Sequence, residues 1–330
     1  MAVLVTGPTG LVGNNVVRAL LNDGRDVRVL VRRGSDPRPL AGLPVDVREG
    51  DVRDSVAVTA ACEGTEAVIH AAAMIHLGWT QLEAAREINV GGTRNVAGAA
   101  REAGARLVHV SSVDSLGLGT PETPADEQTP VIGQVPCTYV LTKRESDAVV
   151  RESIGQGLDA VIVHPGFMLG PWDWKPSSGR MLLTVARQFT PVAPTGGCCL
   201  CDVRDVTAGI LAAWRQGMSG RNYILGGHNM RYLEAWRLFA EVGRGSPPWF
   251  CAGPLMRILG GRSGDLYAKI TGREPDVNSA AVAMSSQYHY YRSDRAEREL
   301  SYRIRPARET VEDAWQWFLE HGYIKGKPDA

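Results

Sequence analysis

Ala2-Val3-Leu4-Val5-Thr6-Gly7-Pro8-Thr9-Gly10-Leu11-Val12-Gly13-Asn14-Asn15-Val16-Val17-Arg18-Ala19-Leu20-Leu21 opens the chain, and its reading decides the fold class. The four apolar residues before Thr6 form a short uninterrupted run, consistent with a strand buried on both faces of a parallel sheet. From Asn14 the chain continues as a helix, so Gly7, Gly10 and Gly13 lie in the turn between strand and helix. Glycines there permit a tight turn and let the backbone approach a phosphate closely, while the helix N-terminus favours a pyrophosphate. The alternative, a Gly-rich turn without a ligand, explains less of this strand–turn–helix context.

The same alternation continues outward. Apolar runs at Val27–Val31, Val45–Arg48, Ala67–His70, Leu107–Val110 and Ala160–His164 predict further strands, and a last core strand returns at Asn222–Leu225. Helices fall between them, notably Leu82–Ala103 and Thr138–Gly155. Strands alternating with helices signal an α/β protein with a doubly wound parallel sheet. Beyond Pro165 Gly and Pro become frequent and the rhythm breaks. The expected organisation is a dinucleotide-binding unit of residues 1–165, rejoined by 201–227, and a smaller substrate lobe of 166–200 and 228–330. Residues 326–330 read as a frayed tail.

At 330 residues the chain is long for a single core. Its formal net charge of zero argues against a broad electrostatic footprint for nucleic acid. No apolar stretch reaches transmembrane length, and the first residues already form the core strand, so a cytoplasmic location is the default. Cys198, Cys199 and Cys201 lack a C-x-x-C spacing or a nearby histidine pair; reduced thiols are expected and no metal. His70 and His109 lie inside strand-like runs and read as satisfied core or edge residues.

Tyr139-Val140-Leu141-Thr142-Lys143 is the stretch that carries chemistry. On a helix a four-residue step turns about 400° and rises about 6 Å, so Tyr139 and Lys143 share a face. A free phenol has a pKa of about 10, and a nearby ammonium stabilises the phenolate. A tyrosine so perturbed serves as general acid or base, and beside a dinucleotide it can exchange a proton with a carbinol oxygen as hydride moves. By itself the spacing also fits an amphipathic tyrosine with a solvated lysine.

Many ordered motifs now coincide. They are Thr6-Gly7-x-x-Gly10-x-x-Gly13, Gly50-Asp51-Val52-Arg53-Asp54, Val68-Ile69-His70-Ala71-Ala72-Ala73, Asn89-Val90-x-Gly92-Thr93-x-Asn95, Val110-Ser111-Ser112, Tyr139-x-x-x-Lys143, His164-Pro165-Gly166 with Gly170-Pro171, and Asp202-Val203-x-Asp205-Val206. Ser293 to Arg303 resembles a closing segment. Together these resemble the extended short-chain dehydrogenase/reductases, also called the NAD-dependent epimerase/dehydratase family. Val29-Leu30-Val31-Arg32 and the run Gly170 to Arg180 look closest to its dihydroflavonol-reductase-like branch, which includes proteins labelled hopanoid-associated sugar epimerases.

The resemblance implies a Rossmann fold and a cofactor site built from Thr6, Gly7, Thr9, Gly10, Leu11, Val12, Gly13, Asp51, Val52, Ala71, Ala72, Ala73, Asn89, Ser111, Tyr139, Lys143, His164, Pro165 and Gly166. It implies Ser112, Tyr139 and Lys143 as the catalytic set: Ser112 polarises the carbonyl, Tyr139 transfers the proton, and Lys143 lowers its pKa and holds the nicotinamide ribose. Arg32-Arg33-Gly34-Ser35 replaces the acidic residue that commonly binds a ribose 2′-hydroxyl, so NADP(H) is favoured over NAD(H). Solvated strand-end arginines are the alternative.

Sugar-nucleotide dehydratases resembling this chain carry an Asp-Glu pair where it has Val113-Asp114, which makes elimination chemistry unlikely and leaves Asp114 as a substrate-hydroxyl partner or a loop residue. Trp172, Trp174, Lys175 and Arg180 are the candidate substrate contacts, with indole faces for a ring and cations for phosphate or carboxylate. The tryptophans packing under a surface loop is the competing reading. An NADP(H)-dependent ketone or aldehyde reductase is the expected function. A sugar-nucleotide epimerase with transient oxidation is the alternative, and a non-catalytic nucleotide-sensing module the third. Helices Leu82–Ala103 and Thr138–Gly155 resemble the family's dimer-forming pair, so a homodimer is expected.

Overall fold

The computed structural model describes residues 1–324; the tail read at 326–330 lies outside them. Its strands are β1 (Ala2–Thr6), β2 (Val27–Val31), β3 (Asp46–Glu49), β4 (Thr65–His70), β5 (Arg106–Val110), β6 (Ala160–Pro165), β7 (Phe167–Leu169), β8 (Val192–Ala193), β9 (Gly197–Asp202), β10 (Asn222–Leu225), β11 (His228–Arg231) and β12 (Phe250–Cys251). Seven of them form one parallel sheet in the order β3-β2-β1-β4-β5-β6-β10.

Both faces of this sheet are buried, and the apolar runs show why. Val3 and Val5 join one core with Val29, Ile69, Val108 and Val163, while Leu4 joins the opposite core with Leu30, Val68, Leu107 and Ile162. Successive strand residues point to opposite faces, so a doubly covered strand must be apolar throughout. Burying each such side chain contributes about 1.5–3 kcal/mol. The first core is closed by α1 (Leu11–Asn22), the second by α2 (Ser55–Cys62) and by a helical stretch running α3 (Leu82–Ala85), a π turn (Arg86–Gly91) and α4 (Gly92–Glu102). Helix α5 (Thr138–Gly155) lies beside α4 on that second face. Strand β3 falls one residue later than the sequence suggests: it is an exposed edge, so no burial fixes its apolar run.

Beyond β6 the chain builds a second set of elements. These are α6 (Ser178–Arg187), α7 (Val203–Gln216), α8 (Tyr232–Val242), α9 (Pro254–Thr271), α10 (Ser279–Met284), α11 (Asp294–Leu300) and α12 (Ala307–Glu320). Helix α7 returns to pack against α1, and β10 completes the main sheet. Strands β11, β9 and β7 form a separate three-stranded sheet, packed on α6, α8 and α12 through Leu182, Leu200, Phe239, Trp317 and Phe318. Cys198, Cys199 and Cys201 all lie on β9, and burial pushes their thiols up, Cys199 to about 11.

Candidate active site

The sheet changes winding direction between β1 and β4, and the crevice at the carboxyl ends of their strands is where ligands bind in this architecture. The glycine turn sits there. Gly7 has φ +67°, and a Cβ on it would lie 2.8 Å from the backbone of Ala72. A Cβ on Gly13 would lie 2.2 Å from the Gly7 carbonyl, so α1 approaches its own turn as only glycine allows. No side chain caps α1, and its first turn carries no acidic residue. Its leading amides are therefore available to a pyrophosphate, and the residues present fit a dinucleotide.

Arg32 is exposed and makes no ion pair among the described residues, whereas Arg33 lies 3.9 Å from Glu49. Asp51 is gripped by Arg53, whose hydrogen bonds hold its carboxyl below the ordinary range against the opposing effect of burial. Val52 is buried; its carbonyl accepts from Asn95 at 3.0 Å.

Asn89 lies on the π turn, an insertion found often at functional sites. Its Nδ2 donates to the Met74 carbonyl and to Thr142 Oγ1, both at 3.0 Å, and its Oδ1 accepts from the Met74 amide at 2.7 Å. It thus ties the loop after Ala71-Ala72-Ala73 to α5, and Thr142 in turn bonds the Tyr139 carbonyl. The amides that begin α5 close the other side: Thr138 N donates to Gly78 O and Tyr139 N to His76 O.

Ser112, Tyr139 and Lys143 come together. Ser112 follows β5 and is nearly buried, and its hydroxyl supports the Tyr139 phenolate. Lys143 Nζ donates to the Val110 carbonyl at 3.0 Å and lies 6.0 Å from the centre of the Tyr139 ring. Burial pushes Lys143 down to about 8, against the pull of Asp147 and Asp114. The expected lowering of Tyr139 by Lys143 is not what this geometry gives. Burial and the Asp114 charge push the phenol up, because the ammonium is held on the Val110 carbonyl and not on the hydroxyl.

Beneath these residues lies a buried polar layer of which the sequence reading named His70, His109, Ser111 and His164 singly, and Asp147 and Ser115 not at all. Asp147, one turn past Lys143, accepts from Ser115 Oγ at 2.7 Å and lies 3.4 Å from His109 Nε2 and 4.0 Å from His164 Nδ1. Burial opposes its charge, yet His109, His164 and Ser111 together hold its carboxyl far below the ordinary range. His70 is satisfied by Thr6 Oγ1 at 2.7 Å and Thr93 Oγ1 at 3.1 Å. His164, expected at the cofactor, turns its imidazole inward to Asp147, Ser115 and the Ser112 carbonyl. Its neighbours Pro165 and Gly166 remain at the strand end.

Asp114 faces Ser112 at 3.3 Å and pairs with His289 Nδ1 at 3.1 Å. Burial disfavours the imidazolium, but Asp114 outweighs it and the net shift of His289 is upward. Its Nε2 lies 3.1 Å from the Met284 carbonyl, so the ring is held between that carbonyl and Asp114. The sequence reading missed His289, which lies in the run Gln287-Tyr288-His289-Tyr290-Tyr291 without any motif.

The candidate substrate contacts beyond β7 have partners of their own in this structure. Trp172 packs under the Arg18 guanidinium at 3.4 Å, and Trp174 stands edge-on to Trp317 at 5.2 Å and to His321 at 5.1 Å. The chain reverses at Trp172 in the left-handed region with φ 67°, and α12 supplies the aromatic partners. Arg180 pairs with Asp276 at 3.0 Å, and Lys175 is exposed. No hydrogen bond, ion pair or ring contact joins any of the four to Ser112, Asp114 or Tyr139 among the described residues.

Known proteins match this arrangement. The model of the NAD dependent epimerase/dehydratase family covers residues 3–226. The chain is 36% identical to a protein named putative dihydroflavonol 4-reductase from Synechocystis sp., over 97% of this chain and 95% of that one. It is 34% identical to sterol demethylase protein B from Methylococcus capsulatus, over 98% and 100%. The crystal structure of gox2253 superposes with a TM-score of 0.85 at 36% identity, covering 98% of this chain and 99% of that chain. The chain belongs to the NAD-dependent epimerase/dehydratase family and is an NAD(P)-dependent enzyme of the extended short-chain dehydrogenase/reductase type.

Proposed function

We propose that this enzyme is an NADP(H)-dependent oxidoreductase that interconverts a ketone or aldehyde with its alcohol on a hydrophobic, ring-containing substrate. The observation that carries the reading is the convergence of Ser112, Tyr139 and Lys143 at the carboxyl edge of the sheet, beside an uncapped helix and glycine turn. A bound nicotinamide dinucleotide supplies the hydride in reduction and receives it in oxidation. Ser112 donates to the carbonyl oxygen and Tyr139 delivers the proton to it. Burial keeps that phenol protonated, the form the reduction consumes. Lys143 is the ribose contact.

A relative named for a dihydroflavonol supports a ring-containing substrate, and one named for a sterol an apolar one, over a sugar nucleotide. The unpaired Arg32 supports NADP(H), because a guanidinium can hold a 2′-phosphate that a carboxylate would repel. The test is a panel of apolar ketones and aldehydes with NADPH and NADH, beside a sugar-nucleotide panel read by chromatography. Oxidation of NADPH by an apolar ketone is expected. Isomerised sugar without net cofactor consumption would replace this reading with an epimerase. Arg32→Asp should lower the NADPH preference roughly tenfold to a hundredfold; an unchanged ratio of affinities for the two cofactors would remove Arg32 from the cofactor site.

A further inference from the structure

Helix α9 is inverted for a helix of a globular protein. It packs inward through Gly261 and Gly264, where a Cβ would lie 3.0 Å from Ser279 and 2.0 Å from the Val277 carbonyl. Its outward stripe is apolar: Leu255, Leu259, Leu266 and Ile270 are 68%, 59%, 58% and 76% exposed. At 100° per residue these four fall within a 60° sector opposite Gly261. The exposed charges on the helix, Arg262 and Lys269, are both basic, while Asp265 turns inward to accept from the Ser279 amide at 3.0 Å. Trp249 and Phe250, just before the helix, are also exposed.

The segment after the stripe connects to the loop that holds the start of α5. Glu274, three residues past Thr271, accepts from the Trp79 amide at 3.0 Å and pairs with His76 Nε2 at 2.9 Å. That loop carries exposed Ile75, Leu77 and Trp79, and its His76 carbonyl holds the Tyr139 amide. By contrast, no large apolar side chain is exposed on Leu82–Glu102 or on α5, the pair expected to form a dimer. None of the described helices is long and apolar enough to cross a membrane.

We propose that α9 and the loop at residues 75–79 dock this enzyme on the surface of a phospholipid bilayer carrying anionic headgroups, with the mouth of the Tyr139 pocket facing the lipid. The apolar stripe enters the acyl boundary, and Arg262 and Lys269 lie beside it at headgroup level. Its use rests on the hydrophobic-substrate reading above, since such a substrate concentrates in the bilayer. Full-length enzyme, without substrate or cofactor, is floated with vesicles of phosphatidylcholine alone or with added phosphatidylglycerol. Stronger binding to the anionic vesicles is expected, by about fivefold for each basic residue engaged. The variant Leu259→Asp/Leu266→Asp should lose binding to both vesicle types, and Arg262→Gln/Lys269→Gln only the anionic preference. NADPH titration by tryptophan fluorescence verifies that each variant is folded. Absence of wild-type binding, or unchanged binding in both variants, overturns the proposal. So does a wild-type dimer that the Leu259→Asp/Leu266→Asp variant converts to monomer without any vesicle binding, which would assign the stripe to a second copy. Flotation does not depend on turnover, so its failure is distinct from failure of the reductase reading.

Discussion

Asp147 and Asp173 are equally buried, each 2% exposed, and their electrostatics are opposite. Asp147, one turn past Lys143, has a serine hydroxyl and two imidazoles around it and is held far below the ordinary carboxylate range. Asp173, beside the aromatic cluster on α12, has the Gly179 amide and the charge of Arg180 against it, yet burial pushes it up to about 7. Partners, and not depth, decide whether a buried carboxylate keeps its charge. Asp114 is the less buried third carboxylate, facing Ser112 at 3.3 Å and His289 Nδ1 at 3.1 Å.

The largest effect that would break this comparison is at Asp147. Asp147→Asn leaves His109, His164 and Ser115 with a weaker acceptor and should lower unfolding stability by about 3 kcal/mol at pH 7 in urea titration. A group with a depressed folded pKa stabilises above its unfolded value near 4 and loses that contribution as pH falls through the folded value. The variant's deficit should therefore shrink with acidification below about pH 4. A variant as stable as wild type would remove the charge argument.

Asp173 runs the other way. Its raised folded pKa gives a contribution fully present below the unfolded value near 4 and lost as pH rises through about 7. Asp173→Asn should gain on the order of 2 kcal/mol over wild type at pH 8 and nothing at pH 4, read by thermal unfolding at the two pH values. An equal effect at both would mean that shape and not charge is felt.

The smallest effect sharpens the third case. His289→Gln keeps a donor toward Asp114 but removes the cation, and kcat/KM should fall about tenfold with the larger part in KM. The acidic limb of the pH profile should move, whereas His289→Ala should lose more than the glutamine variant. Equal kinetics and an unmoved profile would make His289 a packing residue.

The main sheet was legible because β1, β2 and β4 to β6 carry runs of Val, Leu, Ile and Ala, and a glycine turn joins the first of them to a helix. Five of its seven strands lie within two residues of their expected bounds at each end, and Val27–Val31 and Asn222–Leu225 coincide with theirs. The Lys143–Asp147 step was equally visible at helical spacing, but the partners of Asp147 come from β5 and β6 and no local pattern shows them. Trp172 and Trp174 lie some 140 residues from α12, so nothing near them in sequence distinguishes a core indole from a substrate platform. His289 is placed by its amide bonding to Gly197 O, a pairing between distant segments with no local signature. The tryptophans and His289 thus depend on how the chain beyond β6 folds back, where the sequence has no βα rhythm.

The central claim is that the Tyr139 hydroxyl is the proton donor, and Tyr139→Phe tests it most directly. The substitution removes one oxygen and keeps the ring that packs with Cys137 and Val140. Cofactor affinity should be unchanged while turnover on the working carbonyl falls by about a hundredfold or more. Near-normal turnover in that variant, with cofactor still bound, would contradict the account.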